Sequence, residues 1–365
     1  MIYPLLPDFI TRTLGAGPAA LGLIEGIAES TSSLAKIGAG WWSDRAKRRK
    51  PFVVAGYSLA TVARSLVGVA ANWGQILAIR FFDRLGKGLR TPPRDALLAD
   101  LASSGDRGRA YGLQRAMDNA GAFVGPLVAA LLLKFFIQGE RTVFLLTLVP
   151  GLLAVAVLVF RIPAGKSESR AANVKLEWPP KLPRRLWMII GIFCLFTLAN
   201  STDAFLLLRA KDCGIPVWQL PLLWAFFNGA KALVGVPAGS LSDRVGRTPL
   251  IVAGWGIYTL AYVGFAFAAS PLAAWALFGF YALFFAATEG AERALIADLA
   301  EGELRGRAFG VFHGAVGLAA LPASILFGLW WKMFGPRTAF LIGAALSLVA
   351  TAALLLFRFA TKGRR

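Results

Sequence analysis

Long apolar segments dominate the chain, and mostly short polar connections separate them. After the opening segment, eleven apolar runs have the roughly 20 residues that a helix needs to cross a bilayer core. The predicted spans are 18–41, 52–71, 74–91, 109–133, 142–160, 186–208, 217–239, 250–268, 272–291, 307–331 and 338–359. The pattern predicts an all-α polytopic membrane protein.

One connection, 161–185, is long, polar and charged, and we interpret it as a linker between two domains, 1–160 and 186–365. Because an apolar opening segment precedes the eleven runs, each domain would hold six helices. The first helix would be partial, because "MIYPLLPDFITRTLGAG" reaches its first charge at Asp8 and contains two prolines.

Two motifs recur with nearly the same spacing. "GWWSDRAKRR", which begins at Gly40, matches "GSLSDRVGRT", which begins at Gly239, an offset of 199. "ALLADLASSGDRGRAYG", from Ala96, matches "ALIADLAEGELRGRAFG", from Ala294, an offset of 198. A shared offset indicates duplication and predicts two pseudo-symmetric six-helix bundles.

The duplication also bears on the opening segment. The offset places the equivalent of Leu186, where the seventh helix begins, before Met1. We therefore expect the first part of helix 1 to be missing, either because the start site is assigned too late or because the chain is truncated.

Composition and charge indicate how the chain is oriented in a membrane. The chain has 365 residues, 57% of them hydrophobic, and a mean hydropathy of +0.61, more apolar surface than one soluble core hides. The net charge is +19; of 39 Lys and Arg, 27 lie in one alternate set of connections and seven in the other. This bias predicts an inner-membrane protein with the linker and C-terminus in the cytoplasm, and it argues against nucleic-acid binding.

The loop motifs resemble those of the major facilitator superfamily, as do the helix number, the linker and the duplication. The family's Gly-x-x-x-Asp-Arg-x-Gly-Arg-Arg/Lys pattern falls between helices 2 and 3 and again between helices 8 and 9, with Lys47 in place of one glycine. The resemblance implies a cytoplasmic gate; the alternative is a topology signal only. The predicted gate residues are Gly40, Asp44, Arg45, Arg48, Arg49, Gly239, Asp243, Arg244 and Arg247, with Arg107 and Arg305 as partners at helix starts.

Two further family motifs are similar to segments of this chain. "RFFDRLGKG" carries Arg80 at the position of the helix-4 arginine. "GAFVGPLVAA" matches the antiporter-type helix-5 motif at Gly121, Gly125 and Pro126, but alanine replaces its last two glycines. This similarity supports an antiport mechanism in part.

Ionisable residues inside predicted spans are costly in a bilayer and usually face a cavity or a partner. Glu25, Glu29 and Lys36 share one face of helix 2, and either glutamate could carry a coupling proton. The alternatives are that the glutamates neutralise the lysine, or that Glu25 lies near the outer surface.

Other spans hold further candidates for a substrate or proton pathway. Arg80 and Asp83 could instead form an internal salt bridge, and Arg115 and Asp118 could serve the gate. His313 could be structural rather than a proton relay. The remaining candidates are Asp203, Asn228 and Lys231.

Enzyme chemistry has no motif here. "GKGLRTPP" lacks the spacing of a phosphate-binding loop, no Cys/His spacing suits a metal, and Cys194 and Cys213 form no disulfide framework. We expect no cofactor, and transport driven by an ion gradient.

The leading hypothesis is proton-coupled export of a small organic solute by a monomer in the lipid bilayer. The alternatives are uptake or exchange of an anionic metabolite, and a non-transporting sensor or assembly protein with a transporter fold.

Overall fold

The chain is helical throughout the residues that the computed structural model describes, 2–45, 49–101, 107–136, 139–162, 182–300 and 304–362, and no strand occurs among them. The helices are α1 (Leu6–Asp8), α2 (Pro18–Arg45), α3 (Lys50–Leu66), α4 (Trp73–Leu101), α5 (Arg107–Leu131), α6 (Glu140–Leu146), α7 (Leu148–Arg161), α8 (Arg184–Ala199), α9 (Ala204–Asp212), α10 (Leu220–Val245), α11 (Arg247–Phe267), α12 (Pro271–Leu299) and α13 (Leu304–Lys362). A π-helical turn, Phe9–Thr13, extends α1, and α13 breaks at Gly335, where φ is 82°.

Seven helical segments of the described chain are long and apolar enough to cross a membrane: Lys50–Val69, Met117–Phe136, Glu140–Arg161, Arg184–Asp212, Arg247–Phe267, Pro271–Leu299 and Arg307–Phe359. These helices make the chain a multi-pass membrane protein. α2 and α4 are not among them, and both carry charged residues in their middle turns. The arrangement as twelve helices in two bundles stays a prediction.

The connections lie at two ends of the molecule. We call the end at which α7 stops and α8 starts the linker end, and the other the opposite end. Helices of the first half (residues 2–162) pack on one another, α2 and α3 against α4. In the second half (residues 182–362), α11 packs against α12 and α13, and α8 against α13. The halves meet chiefly where α2 packs on α13, α5 on α10 and α1 on α9.

The α2–α13 contact depends on glycine. A methyl group at Gly22 would overlap the carbonyl oxygen of Ser324, and one at Gly26 would meet the backbone and side chain of Leu321. On α13, Gly317 leaves room for the side chain of Ser33 of α2. A methyl group at Gly317 would overlap the Ser33 hydroxyl. Small residues let two helix backbones approach closely and gain dispersion energy along their length.

The predicted span 186–208 is not one helix. α8 ends at Ala199 and α9 begins at Ala204, so the "NSTD" segment between them is not helical, which corrects the continuous span. Side chains of Asn, Ser, Thr and Asp compete with helical hydrogen bonds, which explains the interruption. The carbonyl of Ala199 accepts a hydrogen bond from the Tyr258 hydroxyl at 2.8 Å, so the break stays satisfied in an apolar setting.

The close contact between α2 and α13 predicts that an added methyl group lowers stability at Gly22 but not at a glycine outside the contact. Gly22→Ala should lower the melting temperature in detergent, since overpacking costs about 1–3 kcal/mol. Gly191→Ala, in α8, is the matched control, because no described atom lies within 4 Å of its added methyl group. It should leave the melting temperature unchanged or raise it, because alanine favours helix. Equal shifts in the two variants would contradict the packing described.

Candidate substrate cavity

A cavity of about 500 Å³ lies between the two halves of the chain, and both halves line it. The first half contributes Tyr3 and four charged side chains, Glu25, Glu29, Arg84 and Lys87. The second half contributes Thr197, the segment 200–203, Trp224 and Phe285, and the apolar face of α13. One wall is therefore charged, and the other is mostly neutral and polar.

The charged wall is supported by an ion-pair network beneath it. Arg80 donates to one oxygen of Glu25 from Nη2 at 2.6 Å and from Nε at 3.1 Å, and it contacts Asp83 at 3.2 Å. Asp83 also accepts from Arg64 at 2.7 Å. Arg80 is only 5% exposed and does not border the cavity. The network ties α2, α3 and α4 together and compensates the charge of Glu25.

Arg84 and Lys87 follow Arg80 on the same face of α4. The Arg84 guanidinium lies 4.0 Å from Glu29, and its buried Nε has no hydrogen-bond partner among the described residues. On the sequence, both residues count with the basic residues of the following connection, although the predicted span 74–91 contains them. The end of that span is corrected, because α4 continues to Leu101 and both side chains reach the cavity. The spacing 80, 84, 87 was the signal that could have identified them.

The polar wall comes from the break between α8 and α9. Asp203 accepts a hydrogen bond from the Tyr281 hydroxyl at 2.9 Å, and Ser201 contacts the Tyr262 hydroxyl at 3.1 Å. The buried Oδ1 of Asn200 has no hydrogen-bond partner among described groups. A ligand in the cavity could therefore donate to an acceptor that the surrounding protein leaves free.

The opening segment also reaches the cavity, which the sequence did not indicate. The Tyr3 hydroxyl lies 3.2 Å from the Thr202 hydroxyl, and its ring centroid lies 4.8 Å from that of Trp224. Tyr3 thus connects the first half to the broken helix of the second. A single aromatic residue among apolar neighbours gives no sequence signal for such a role.

Several predicted pathway residues lie outside the cavity wall. Lys231 pairs with Glu289 at 3.5 Å and lies above the Phe285 ring, and Asn228 donates to the Trp224 carbonyl at 2.8 Å. The remaining ones are His313, whose ring contacts those of Phe309 and Phe312; Lys36, half-buried on α2; and Asp118, exposed beside Arg94 at 3.6 Å. The side chain of Arg115 lies outside the described residues.

The predicted gate falls largely outside what the structure describes. Arg49 donates to the Ala96 carbonyl at 3.2 Å, and Arg247 contacts Asp298 at 3.4 Å. The helix-5 motif residues Gly121, Gly125 and Pro126 lie within α5. Arg48 and the side chains of Gly40, Asp44, Arg45, Arg107, Gly239, Asp243, Arg244 and Arg305 are outside the described part.

At the opposite end, polar and cation–π contacts join the halves. Arg12 forms an ion pair with Asp212 of α9 at 3.1 Å. The ammonium group of Lys134, after α5, lies 4.7 Å from the ring centroid of Trp218, just before α10.

A family model described as Major Facilitator Superfamily matches residues 1–288 and 222–365. The chain belongs to this superfamily. It is 32% identical over 364 residues to the uncharacterized MFS-type transporter MJ1317 of Methanocaldococcus jannaschii, covering 97% of this chain and 90% of the relative. It is 27% identical to the multidrug resistance protein MdtG of Klebsiella pneumoniae, covering 74% and 68%.

The comparison of this fold with solved structures agrees with the family assignment. The nucleoside transporter NupG, in a D323A mutant crystal structure, superposes with a TM-score of 0.83 at 13% identity, covering 97% of this chain and 94% of that one. The resemblance to a transporter family is thus confirmed, and the family is one of transporters rather than enzymes.

The ion-pair network predicts different costs for two neighbouring arginines. Arg80→Gln leaves the buried carboxylate of Glu25 without its cation and that of Asp83 with Arg64 alone, which should destabilise the protein by about 3–5 kcal/mol. Arg84→Gln is the matched control; it should cost much less, because Arg84 borders the cavity and is only loosely paired. Thermal unfolding in detergent measures both. Equal losses of stability would contradict the structural role given to Arg80.

Proposed function

We propose that this protein is a secondary active transporter that carries a small organic solute by alternating access, with the cavity as its substrate site. The main support for this proposal is that one cavity has its charged wall on the first half and its polar wall on the second. A site built from both halves changes shape whenever the halves rock against each other, which is the geometry that alternating access requires. The bundles proposed are residues 1–160 and 186–365.

We assign proton coupling to the carboxylates of the cavity. Glu25 is compensated by Arg80, Glu29 lies 4.0 Å from Arg84, and Asp203 accepts a hydrogen bond from the neutral Tyr281 hydroxyl. A carboxylate with weak compensation in a low-dielectric site binds a proton more readily than a firmly paired one. Asp203 therefore supports the role of proton acceptor better than Glu25, and Glu29 is assigned a part in coupling because its carboxylate borders the cavity.

Export is the proposed direction, with the linker end in the cytoplasm. The partial helix-5 motif and the similarity to a multidrug resistance protein both support export by proton antiport. The excess of basic residues in the linker-end connections supports the orientation. The Asp44 and Asp243 loops would then hold the cytoplasmic gate, as the family resemblance implies.

The cavity also supports a second candidate, transport of an organic anion. Arg84 and Lys87 border it together, and Glu29 is the one carboxylate that pairs with either of them among the described residues. Counted with the network beneath it, this wall has four cations, Arg64, Arg80, Arg84 and Lys87, and three carboxylates, Glu25, Glu29 and Asp83. An anionic group on the solute would balance the remaining positive charge.

The coupling role of Glu29 gives a transport prediction. In proteoliposomes, an imposed proton gradient should drive flux of a transported solute, and Glu29→Gln should abolish that flux because the amide cannot take up the proton. Glu292→Gln is the matched control, since Glu292 is buried away from the cavity and its amide can still accept from Trp255. Glu292→Gln should retain the flux.

Three results would decide against parts of the proposal. Full gradient-driven flux in Glu29→Gln would remove this residue from coupling. Flux that ignores the proton gradient would remove proton coupling altogether. No flux of any solute across a broad panel, from folded wild-type protein, would favour the sensor or assembly class instead.

The second candidate predicts binding that depends on charge. Small organic anions should raise the melting temperature of the purified protein in a concentration-dependent way, because a ligand that binds the folded state stabilises it. Lys87→Gln should weaken that stabilisation about tenfold in apparent affinity, a loss of about 1.4 kcal/mol. Added salt should weaken it further. Neutral or cationic solutes stabilising the wild type more strongly would refute the anion hypothesis.

A further inference from the structure

A second cluster of ionisable groups lies at the opposite end, away from the cavity. It consists of Asp8 on α1, Arg12 on the π-helical turn, Glu140 at the start of α6, and Lys211 and Asp212 on α9. Asp8 and Glu140 are 5% and 9% exposed, so both carboxyl groups are nearly buried. Burying two carboxyl groups together is expensive unless their charge is reduced or compensated.

Arg12 provides compensation for only part of this cluster. Its Nε lies 3.1 Å from Oδ1 of Asp8, and its Nη2 donates to Oδ1 of Asp212 at 3.1 Å. Asp8 belongs to the first half and Asp212 to the second, so one guanidinium bridges the halves. The π-helical turn, which widens the helix from Phe9 to Thr13, carries Arg12 into this position.

Among the residues that the structure describes, no cation forms an ion pair with Glu140. One of its oxygens accepts a hydrogen bond from the Thr13 hydroxyl at 3.3 Å, while the other, Oε1, is buried and has no donor among the described residues. The neighbouring Arg141 points elsewhere, donating to the carbonyls of Gly68 and Ala70. The carboxyl groups of Glu140 and Asp8 are placed to share a hydrogen bond, and Lys211 is a further cation that acts on both.

Two buried carboxyl groups in mutual contact are both satisfied when they share one proton. Oxygens that face each other repel if both groups are ionised, and they form a strong hydrogen bond if one is protonated. Asp8 already faces Arg12 and suits the ionised form, which leaves the proton on Glu140. The unpartnered oxygen of Glu140 is thereby explained, because as a hydroxyl it donates to Asp8.

We propose that Asp8 and Glu140 form a proton-binding site at the opposite end, and that its proton holds the Arg12–Asp212 bridge closed. With one proton bound, the pair carries a single negative charge, and Arg12 is shared between Asp8 and Asp212. When Glu140 releases its proton to the solution at that end, the pair carries two negative charges. These draw Arg12, and Lys211 beside it, away from Asp212, and the contact between the halves weakens.

The role of the bridge in opening the cavity rests on the proposed alternating access, but the proton site itself does not. A test without transport therefore separates the two. Infrared difference spectra of the full chain in lipid nanodiscs should show a carboxylic-acid C=O band at neutral pH that shifts in D₂O. Glu140→Gln should remove that band, and Glu289→Gln, at a half-buried and ion-paired glutamate on α12, should leave it.

If Glu140→Gln instead removes a carboxylate band, Glu140 is ionised in the wild type, and that result would overturn the proton site. If that variant fails to fold, the wild-type pH titration still decides: an acid band that persists until mildly alkaline pH, with a matching rise in carboxylate absorption, is expected. Absence of any buried acid signal that titrates there would overturn the assignment.

Spin labels test the link between this proton and the bridge. Labels at Gly17→Cys and Leu272→Cys, both exposed positions at the opposite end on different halves, would be placed in a Cys194→Ser, Cys213→Ser chain. Raising the pH should increase the population with longer label-to-label distances. Glu140→Gln should keep the short distance at every pH, whereas Glu292→Gln should retain the pH response. A distance distribution that is independent of pH in the wild type would overturn the latch.

Discussion

Pairing of the Arg80 guanidinium is the constraint on which the first half of the molecule depends. A cation in the middle of a bilayer is tolerated only where carboxylates surround it, and Arg80 has two, Glu25 on α2 and Asp83 on its own helix. Satisfying it sets the depth and rotation of α2 against α4. That rotation in turn brings Arg84 and Lys87, which follow Arg80 on the same face of α4, to the cavity.

The two walls solve the problem of polar groups in an apolar medium in different ways. The first wall uses ions and compensates them with ions. The second interrupts a helix at Asn200, and the hydroxyls of Tyr258, Tyr262 and Tyr281 contact the Ala199 carbonyl, Ser201 and Asp203 in turn. Neutral hydrogen bonds cost less to rearrange than ion pairs, so the second wall can adjust to a ligand while the first holds its charge pattern.

The membrane helices and part of the cavity wall could be predicted from the sequence. Bilayer-spanning length and the cost of buried charge leave few options, so hydropathy and the shared face of Glu25 and Glu29 pointed to the membrane helices and to part of the cavity wall. Other features depend on tertiary context. Arg84 and Lys87 were counted with a connection because basic residues near a helix end usually mark topology, and only the length of α4 shows otherwise. Tyr3 and the pairing of Asp8 with Glu140 join segments far apart in the chain, which a local pattern does not report.

The glycines between α2 and α13 have a mechanical consequence. Interlocked side chains resist sliding, because each must change rotamer before its helix can move. At Gly22 and Gly26 the contact is made largely by backbone on a smooth surface, and no large side chain has to be withdrawn there. Such an interface offers little steric resistance to a tilt of one helix against the other, so the resistance comes mainly from polar contacts, such as that of the Ser30 hydroxyl with the Gly317 carbonyl.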